Sequence, residues 1–199
     1  MPSVYDLKPA FQRLLSPAVN GLHAIGITAN QVTVMAFLLS FGIGLAFWWA
    51  DNSIWLFLVL PIGLLIRMAL NAIDGQIARV FDQRSRLGEV LNEMGDVVSD
   101  LAIYFPLLKF APDQTLYVVL FLVLCPMNEF AGLLGKVVGG ERRYDGPMGK
   151  SDRALLFGLY GLLMASGVNV PAALPYALPT MCALLILSTF NRLRRTLRS

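Results

Sequence analysis

Residues 71–100 read NAIDGQIARVFDQRSRLGEVLNEMGDVVSD. Strongly apolar sequence flanks this stretch on both sides, yet it carries Asp74, Arg79, Glu89, Glu93, Asp96 and Asp100. An ionised side chain at the centre of a bilayer costs roughly 2.5–3.5 kcal/mol on insertion scales, so a cluster of this density points to function. Residues three and four apart share a helix face, which puts Asn71, Asp74 and Ala78 on one stripe and Asn92, Asp96 and Asp100 on another. A short turn around residues 83–86 predicts that the two helices are antiparallel neighbours whose stripes face each other. Carboxylate and amide oxygens in that arrangement suit a hard cation, Mg2+ or Mn2+, with phosphate oxygens completing its shell. Gly75, Ala78 and Gly88 clear bulk from the same surface, so a ligand or a neighbouring backbone can come close.

The rest of the chain fits a membrane setting. Of 199 residues 56% are hydrophobic and only 15% are charged, against about 25% charged in a soluble domain. Apolar stretches near the ~20 residues that a spanning helix needs fall at about 31–49, 54–77, 87–110, 115–137, 154–167 and 172–190. Lys8 and Arg13 precede the first. Arg79, Arg84 and Arg86 lie between the second and third. Lys136, Arg142, Arg143, Lys150 and Arg153 lie between the fourth and fifth, and Arg192, Arg194, Arg195 and Arg198 follow the sixth. The opposite loops offer Asp51, Asp113 and one cation, Lys109. Positive charge stays on the cytoplasmic side, so both termini and the charged cluster are expected there, in a multi-pass protein of the inner (cytoplasmic) membrane.

No cleavable signal peptide is evident, because Asp6, Lys8, Pro9, Arg13 and His23 interrupt any apolar core in the first 26 residues. Val4, Leu7, Phe11, Leu14, Leu15 and Val19 recur at helical spacing instead and predict a helix along the membrane surface, kinked or ended by Pro17. The expected fold is all-α: a polytopic membrane protein of six transmembrane helices plus that surface helix, one domain over residues 1–199. Cys125 and Cys182 lie inside spans with no second metal-ligating partner in spacing, and read as packing residues. Arg67, within the second span, is expected to pair with Glu129 of the fourth. His23 reads as interfacial, and Trp48, Trp49 and Trp55 as aromatic anchors at the outer interface. Gly42, Gly44, Gly132, Gly135, Gly158 and Gly161 read as helix-packing positions. The basic tail after Asn191 reads as an anchor on anionic lipid.

The 71–100 segment resembles the signature of the CDP-alcohol phosphatidyltransferase family, DxxDGxxAR, eight residues, then GxxxDxxxD. Asp74, Gly75, Ala78, Arg79, Gly88 and Asp96 stand in register with it, and Asn71 and Asn92 occupy its first and third Asp positions. Thr28-Ala29-Asn30-Gln31-Val32-Thr33 is similar to the family's TPNxLT entry to the first span, with Ala29 in place of Pro. The resemblance implies an enzyme of phospholipid biosynthesis. CDP-diacylglycerol would bind by its pyrophosphate at the metal site, an alcohol acceptor would attack the lipid-side phosphate, and CMP would leave. Asn71, Asp74, Asn92, Asp96 and Asp100 are then the expected metal set, with Asp96 as general base. Thr28, Asn30, Gly75, Ala78, Arg79 and Gly88 are the expected nucleotide contacts. Arg142, Arg143, Lys150 and Arg153 are placed to clamp a phosphate on the acceptor, with positive-inside topology as the plainer account of the same charges.

Two lost acids weaken a divalent site. Three readings follow: one metal stands where the family often uses two; Asp100, or Glu89 and Glu93, supply the missing charge from an adjacent turn; or the chain binds a CDP-lipid weakly without turnover. A regulatory CDP-lipid-binding membrane protein is therefore the alternative reading, and an ion transporter is disfavoured by the Gly75, Ala78, Gly88 pattern. A homodimer is implied by the family, and no nucleic-acid partner is expected.

Overall fold

The computed structural model describes residues 8–168 and 170–198, and every regular element among them is helical. Helix α1 spans Lys8–Ala24, α2 Ala29–Trp48, α3 Val59–Val80, α4 Arg86–Tyr104, the one-turn α5 Leu107–Phe110, α6 Thr115–Val137, α7 Lys150–Ala165 and α8 Leu174–Thr196. Four segments are long and apolar enough to cross a membrane: Ala29–Trp48, Ile54–Val80, Pro112–Val137 and Leu174–Thr196. The chain is thus a multi-pass membrane protein. The other two expected spans miss that standard for different reasons. Helix α4 carries Arg86, Glu89, Glu93, Asp96 and Asp100 among its 19 residues. Helix α7 has 16 residues, about 24 Å of helix against a hydrocarbon core of about 30 Å.

Several boundaries move from their sequence expectations. The expected third span breaks near Pro106: α4 ends at Tyr104 and α5 forms a separate turn. Helix α8 continues past residue 190 to Thr196, because Arg192 turns inward there and donates to the Asn128 carbonyl at 2.6 Å. Helix α1 runs through Pro17 to Ala24 instead of ending there. Its Leu15, Val19 and Leu22 pack with Val32, Ile73 and Ile77 of α2 and α3, which offsets the bond that proline cannot donate. Leu14 faces outward. Val4 and Leu7 of the predicted surface helix lie outside the described residues.

Helix α2 organises the bundle. It packs along both α3 and α4, whereas α3 and α4 make no comparable backbone contact with each other. The neighbours expected from the short turn are therefore held apart at the backbone and meet through side chains. The turn itself is well specified. Gln83 N donates to the Ala78 carbonyl at 3.0 Å, Asp82 adopts φ +52, and Ser85 caps α4 by accepting from Gly88 N at 3.0 Å. Gln83 Oε1 also accepts from Ala29 N at 2.9 Å, tying this turn to the start of α2.

Gly44 is what lets α2 close on α4, because a Cβ there would run into the Ala102 carbonyl. Gly44→Ala is expected to lower stability by about 1–3 kcal/mol through forced separation of two backbones. Thermal unfolding in detergent measures this, and an unshifted midpoint would mean the contact has slack. Gly132, Gly135 and Gly161 sit equally tight against backbone carbonyls, but Gly42 faces open space and is no packing position.

Apolar and polar halves are segregated. Phe47, Phe57, Tyr104, Phe121, Phe157 and Tyr160 form an aromatic cluster around which Ile43, Leu60 and Leu178 close, with Cys125 and Cys182 as packing residues in the same core. At the end where α2 gives way to the first 3-10 turn, Lys109 donates to Asp51 at 2.6 Å and to the Trp48 carbonyl at 2.9 Å, above the Trp48 and Trp49 rings. That hydrogen bond holds the exposed Asp51 carboxyl below the usual carboxylate range. The acidic and basic side chains of interest lie toward the opposite end.

Candidate active site

The site is assembled where α2 starts, α3 ends, α4 begins and α7 begins. Thr28 caps α2 in a reciprocal capping box: its hydroxyl accepts from Gln31 N at 3.3 Å and its own N–H donates to Gln31 Oε1 at 2.9 Å. One turn further on, Thr33 donates to Asp74 Oδ2 at 2.9 Å. Asp74 is 5% exposed, and Thr33 is its one hydrogen-bonding side chain among the described residues. Asn71 presents its amide in the same region with Nδ2 buried and unpartnered. Asn30 lies over Gly88, so that a Cβ on Gly88 would come within 2.5 Å of Asn30 Oδ1 and 3.1 Å of Ser85 Oγ. Ala78 is half-buried, Gly75 is open to Arg79, and Arg79 itself is exposed with no ion pair among the described residues.

Because Asn30 Oδ1 is the end of a movable side chain, Gly88→Ala should push it aside at little cost to stability. The expected result is an unfolding midpoint near wild type with weakened binding of a cytidine nucleotide. Equal nucleotide affinity in the variant would remove Asn30 and Gly88 from the contact surface.

On α4, Asp96 makes an ion pair with Lys150 at the first position of α7 and lies 3.7 Å from Arg67. Both contacts use Oδ1, and neither uses Oδ2. Asp100, one turn deeper and 2% exposed, accepts from Arg153 at 2.6 Å and lies 3.3 Å from Arg67 without hydrogen-bond alignment. Arg67 is held further by Ser40, whose Oγ accepts from Nε at 2.8 Å. The expected Arg67–Glu129 pair does not form. Arg67 sits between Asp96 and Asp100 on the α4 side, while Glu129 faces α7 and α8.

Glu129 is the hub of a second network. Its oxygens lie 3.0 Å from Arg153, 3.0 Å from Arg142 and 3.8 Å from Arg192. Arg142 also pairs with Glu93, and Arg153 donates to the Met148 carbonyl at 2.9 Å, pinning the loop before α7. Burial works against the charge on Arg142, but Tyr144, Glu93 and Glu129 outweigh it and hold its pKa above the ordinary guanidinium value. Among the described residues Arg143 makes no carboxylate contact; its NH2 donates to the Arg195 carbonyl at 3.4 Å. Glu89 pairs with Lys136, away from Asp74 and Asp96.

The structure thus brings Asp74, Asp96, Lys150 and Arg153 into one region and gives Asp100 a pair of arginines in place of an open coordination position. It also contains members that sequence reasoning missed. Thr33 stood inside the quoted entry segment but was not given a role. Arg192 was grouped with the exposed tail, yet is 2% exposed. No local pattern separates it from Arg194 or Arg195; the contact with Asn128 on α6 does.

The donor set suits a divalent cation only with outside help. Asp74 and Asp96 offer carboxylate oxygen, and Asn71 and Asn92 amide oxygen. Among the described residues no three Asp, Glu, His or Cys side chains come together closely enough to hold a metal on their own. Phosphate oxygens from a substrate would complete such a shell, and the unpartnered Asn71 amide N–H group is a donor for the same phosphate.

A helical membrane bundle with DGxxAR on one helix end and GxxxNxxxD on the next defines a class. The profile of the CDP-alcohol phosphatidyltransferase family matches residues 26–190. The chain belongs to that family. It is similar to the inner membrane protein YnbA of Escherichia coli, 49% identical over 164 residues that cover 82% of this chain and 81% of that one. It is 30% identical over 99 residues, half of each chain, to the archaetidylinositol phosphate synthase of Pyrococcus horikoshii. Its fold matches the Mycobacterium tuberculosis phosphatidylinositol phosphate synthase with CDP-DAG bound, at a TM-score of 0.77 and 19% identity over 92% of this chain and 94% of that one. The same enzyme in complex with manganese and citrate matches at 0.75 and 19% over 90% and 87%.

Proposed function

We propose that this protein transfers the phosphatidyl group of CDP-diacylglycerol to an alcohol and releases CMP, in phospholipid biosynthesis. The observation that carries this reading is the placement of the family motif. Asp74 and Asp96 approach one polar region from α3 and α4, with Asn30, Gly75, Ala78 and Gly88 leaving room at its edge. Thr28, Asn30, Gly75, Ala78, Arg79 and Gly88 form the nucleotide side. Arg142, Arg143, Lys150 and Arg153 form the acceptor side.

Asp96 is the general base. Its Oδ2 takes the hydroxyl proton as the alcohol oxygen bonds to the lipid-side phosphorus and the bond from that phosphorus to the CMP oxygen breaks. Lys150 and Arg67, both on Oδ1, orient the carboxylate and leave Oδ2 for the alcohol. Thr33 fixes Asp74. Asn71, Asp74, Asn92 and Asp96 would hold Mg2+ or Mn2+, which supplies charge neutralisation of the pyrophosphate. Asp100 was expected in that set; its two arginine contacts support a role in bracing Arg67 and Arg153 beneath Asp96.

The architecture in this reading is a single domain of six spans, with α4 and α7 crossing by burying their charges inside the bundle, both termini and the site cytoplasmic, and two copies forming a homodimer. The ion pairs of Glu93, Asp96 and Asp100 support α4 as a bundle-facing span. The test is CMP release from CDP-diacylglycerol by the purified chain across a panel of alcohols, with and without EDTA. Expected is release that stops on chelation and returns with Mg2+ or Mn2+. Bound CDP-lipid with no release for any alcohol would favour the non-catalytic alternative.

A further inference from the structure

Resting on the reading above, the structure assigns the acceptor to a chemical class: we infer that it is an alcohol carrying no phosphate or other anionic group, an uncharged polyol or an amino alcohol. A phosphorylated acceptor needs guanidinium or ammonium groups whose hydrogen bonds are still available. On the acceptor side three of these groups are already engaged, and Arg143 turns instead to the Arg195 carbonyl near the end of α8. Arg142 is shared between Glu93 and Glu129, Arg153 between Asp100 and Glu129, and Arg192 reaches Glu129 and the Asn128 carbonyl. Three guanidinium groups therefore face three carboxylates, and the Glu129 carboxylate, 7% exposed, occupies the point on which all three arginines converge. A phosphate held by these three arginines together would have to displace Glu129 from that point.

A second observation concerns the surface beside that hub. A cavity of about 370 Å³ opens beside Arg142, between the start of α4 and the loop that follows α6. Its charged lining is Glu89, Glu93 and Glu141 against Lys136 and Arg142, so it carries one more acid than base. Glu141 is exposed and has no ion pair among the described residues. An acceptor entering through this cavity would meet net acidic charge, which repels a phosphate monoester and admits a neutral or cationic alcohol. Lys150 does not restore an anion seat, because it is committed to Asp96.

The experiment uses the full chain in detergent or nanodiscs, as wild type, Glu129→Gln and Glu93→Gln. CMP release from CDP-diacylglycerol is compared with glycerol, ethanolamine and glycerol 3-phosphate as acceptors, and binding of inorganic phosphate is measured separately by calorimetry. Wild type should turn over with glycerol or ethanolamine at least about tenfold faster than with glycerol 3-phosphate, and the faster of the two separates polyol from amino alcohol. It should show no millimolar phosphate binding, whereas freeing charged hydrogen bonds in either variant should tighten phosphate by about ten- to a hundredfold. Glu93, partly exposed, serves if the buried Glu129→Gln fails to fold. Turnover with glycerol 3-phosphate equal to that with glycerol, or millimolar phosphate binding by wild type, overturns the inference while leaving the transferase reading intact. Absence of CMP release with every acceptor defeats the transferase reading instead, and the phosphate titrations then decide the charge assignment alone.

Discussion

Asp96→Asn lowers CMP release by about 10²–10⁴-fold, the range that a positioned general base contributes. The substitution preserves the size of the side chain and an oxygen for Lys150 and Arg67, so the fold should hold. What it removes is the anionic oxygen that accepts the acceptor's proton. Binding of CDP-diacylglycerol should persist, because Thr28, Asn30, Asp74 and the clearing at Gly75 and Gly88 are untouched. Since Asp96 is also placed to ligate metal, the loss has two possible sources, and a metal titration separates them. Turnover that stays low at saturating Mn2+ assigns the loss to the proton. Recovery of turnover at high Mn2+ would assign it to the cation, and turnover within a few-fold of wild type would remove Asp96 from the chemistry.

Arg153→Ala destabilises the protein by about 3–5 kcal/mol, the cost of leaving a buried charge without its partner. Arg153 is fully buried and serves three acceptors: Asp100 at 2.6 Å, Glu129 at 3.0 Å and the Met148 carbonyl at 2.9 Å. Truncation strands Asp100 with Arg67 alone and releases the loop before α7. Replacing both charges, as Arg153→Met with Asp100→Leu, should recover part of the loss, since apolar groups of similar volume can replace a buried pair while Glu129 keeps Arg142 and Arg192, and Arg67 keeps Asp96. Unfolding of single and double variants in detergent measures both steps. A single variant as stable as wild type would show that water reaches Asp100 and that the pair is not isolated from solvent.

Much of the fold was legible because membrane segments announce themselves locally. The fourth span, expected at residues 115–137, is helix α6 with those same bounds, since in TLYVVLFLVLCPMNEFAGLLGKV the helix tolerates Pro126 and the polar Asn128 and Glu129 are buried inside the bundle. The α3–α4 site was legible for a similar reason: Asp74, Gly75, Ala78, Gly88 and Asp96 lie within one short stretch and its turn. The counter-charges were not legible. Nothing near Glu129 in sequence says that Arg142, Arg153 and Arg192 converge on it, or that Arg67 would turn to Asp100. Those choices follow from the packing of α6 against α8 and α3 against α7, which periodicity does not encode. Asp100 illustrates the limit. Its spacing from Asp96 is that of a ligand stripe, but its depth in the bundle gives it to two arginines.

The ion pairs also impose a schedule on biogenesis. Glu93, Asp96 and Asp100 leave the ribosome on α4 well before their partners: Arg142 follows Glu93 by 49 residues, Lys150 follows Asp96 by 54, and Arg153 follows Asp100 by 53. At about 5–20 residues per second this is a delay of roughly 3–10 s. During that interval Arg67, already synthesised on α3, is the one counter-charge from the final network available to the three acids. An α4 that entered the lipid alone would bear several kcal/mol of unpaired charge. The nascent helix is therefore expected to wait at the headgroup boundary or against the insertion machinery until α7 arrives, so that one cohort of salt bridges completes both the bundle and the candidate site.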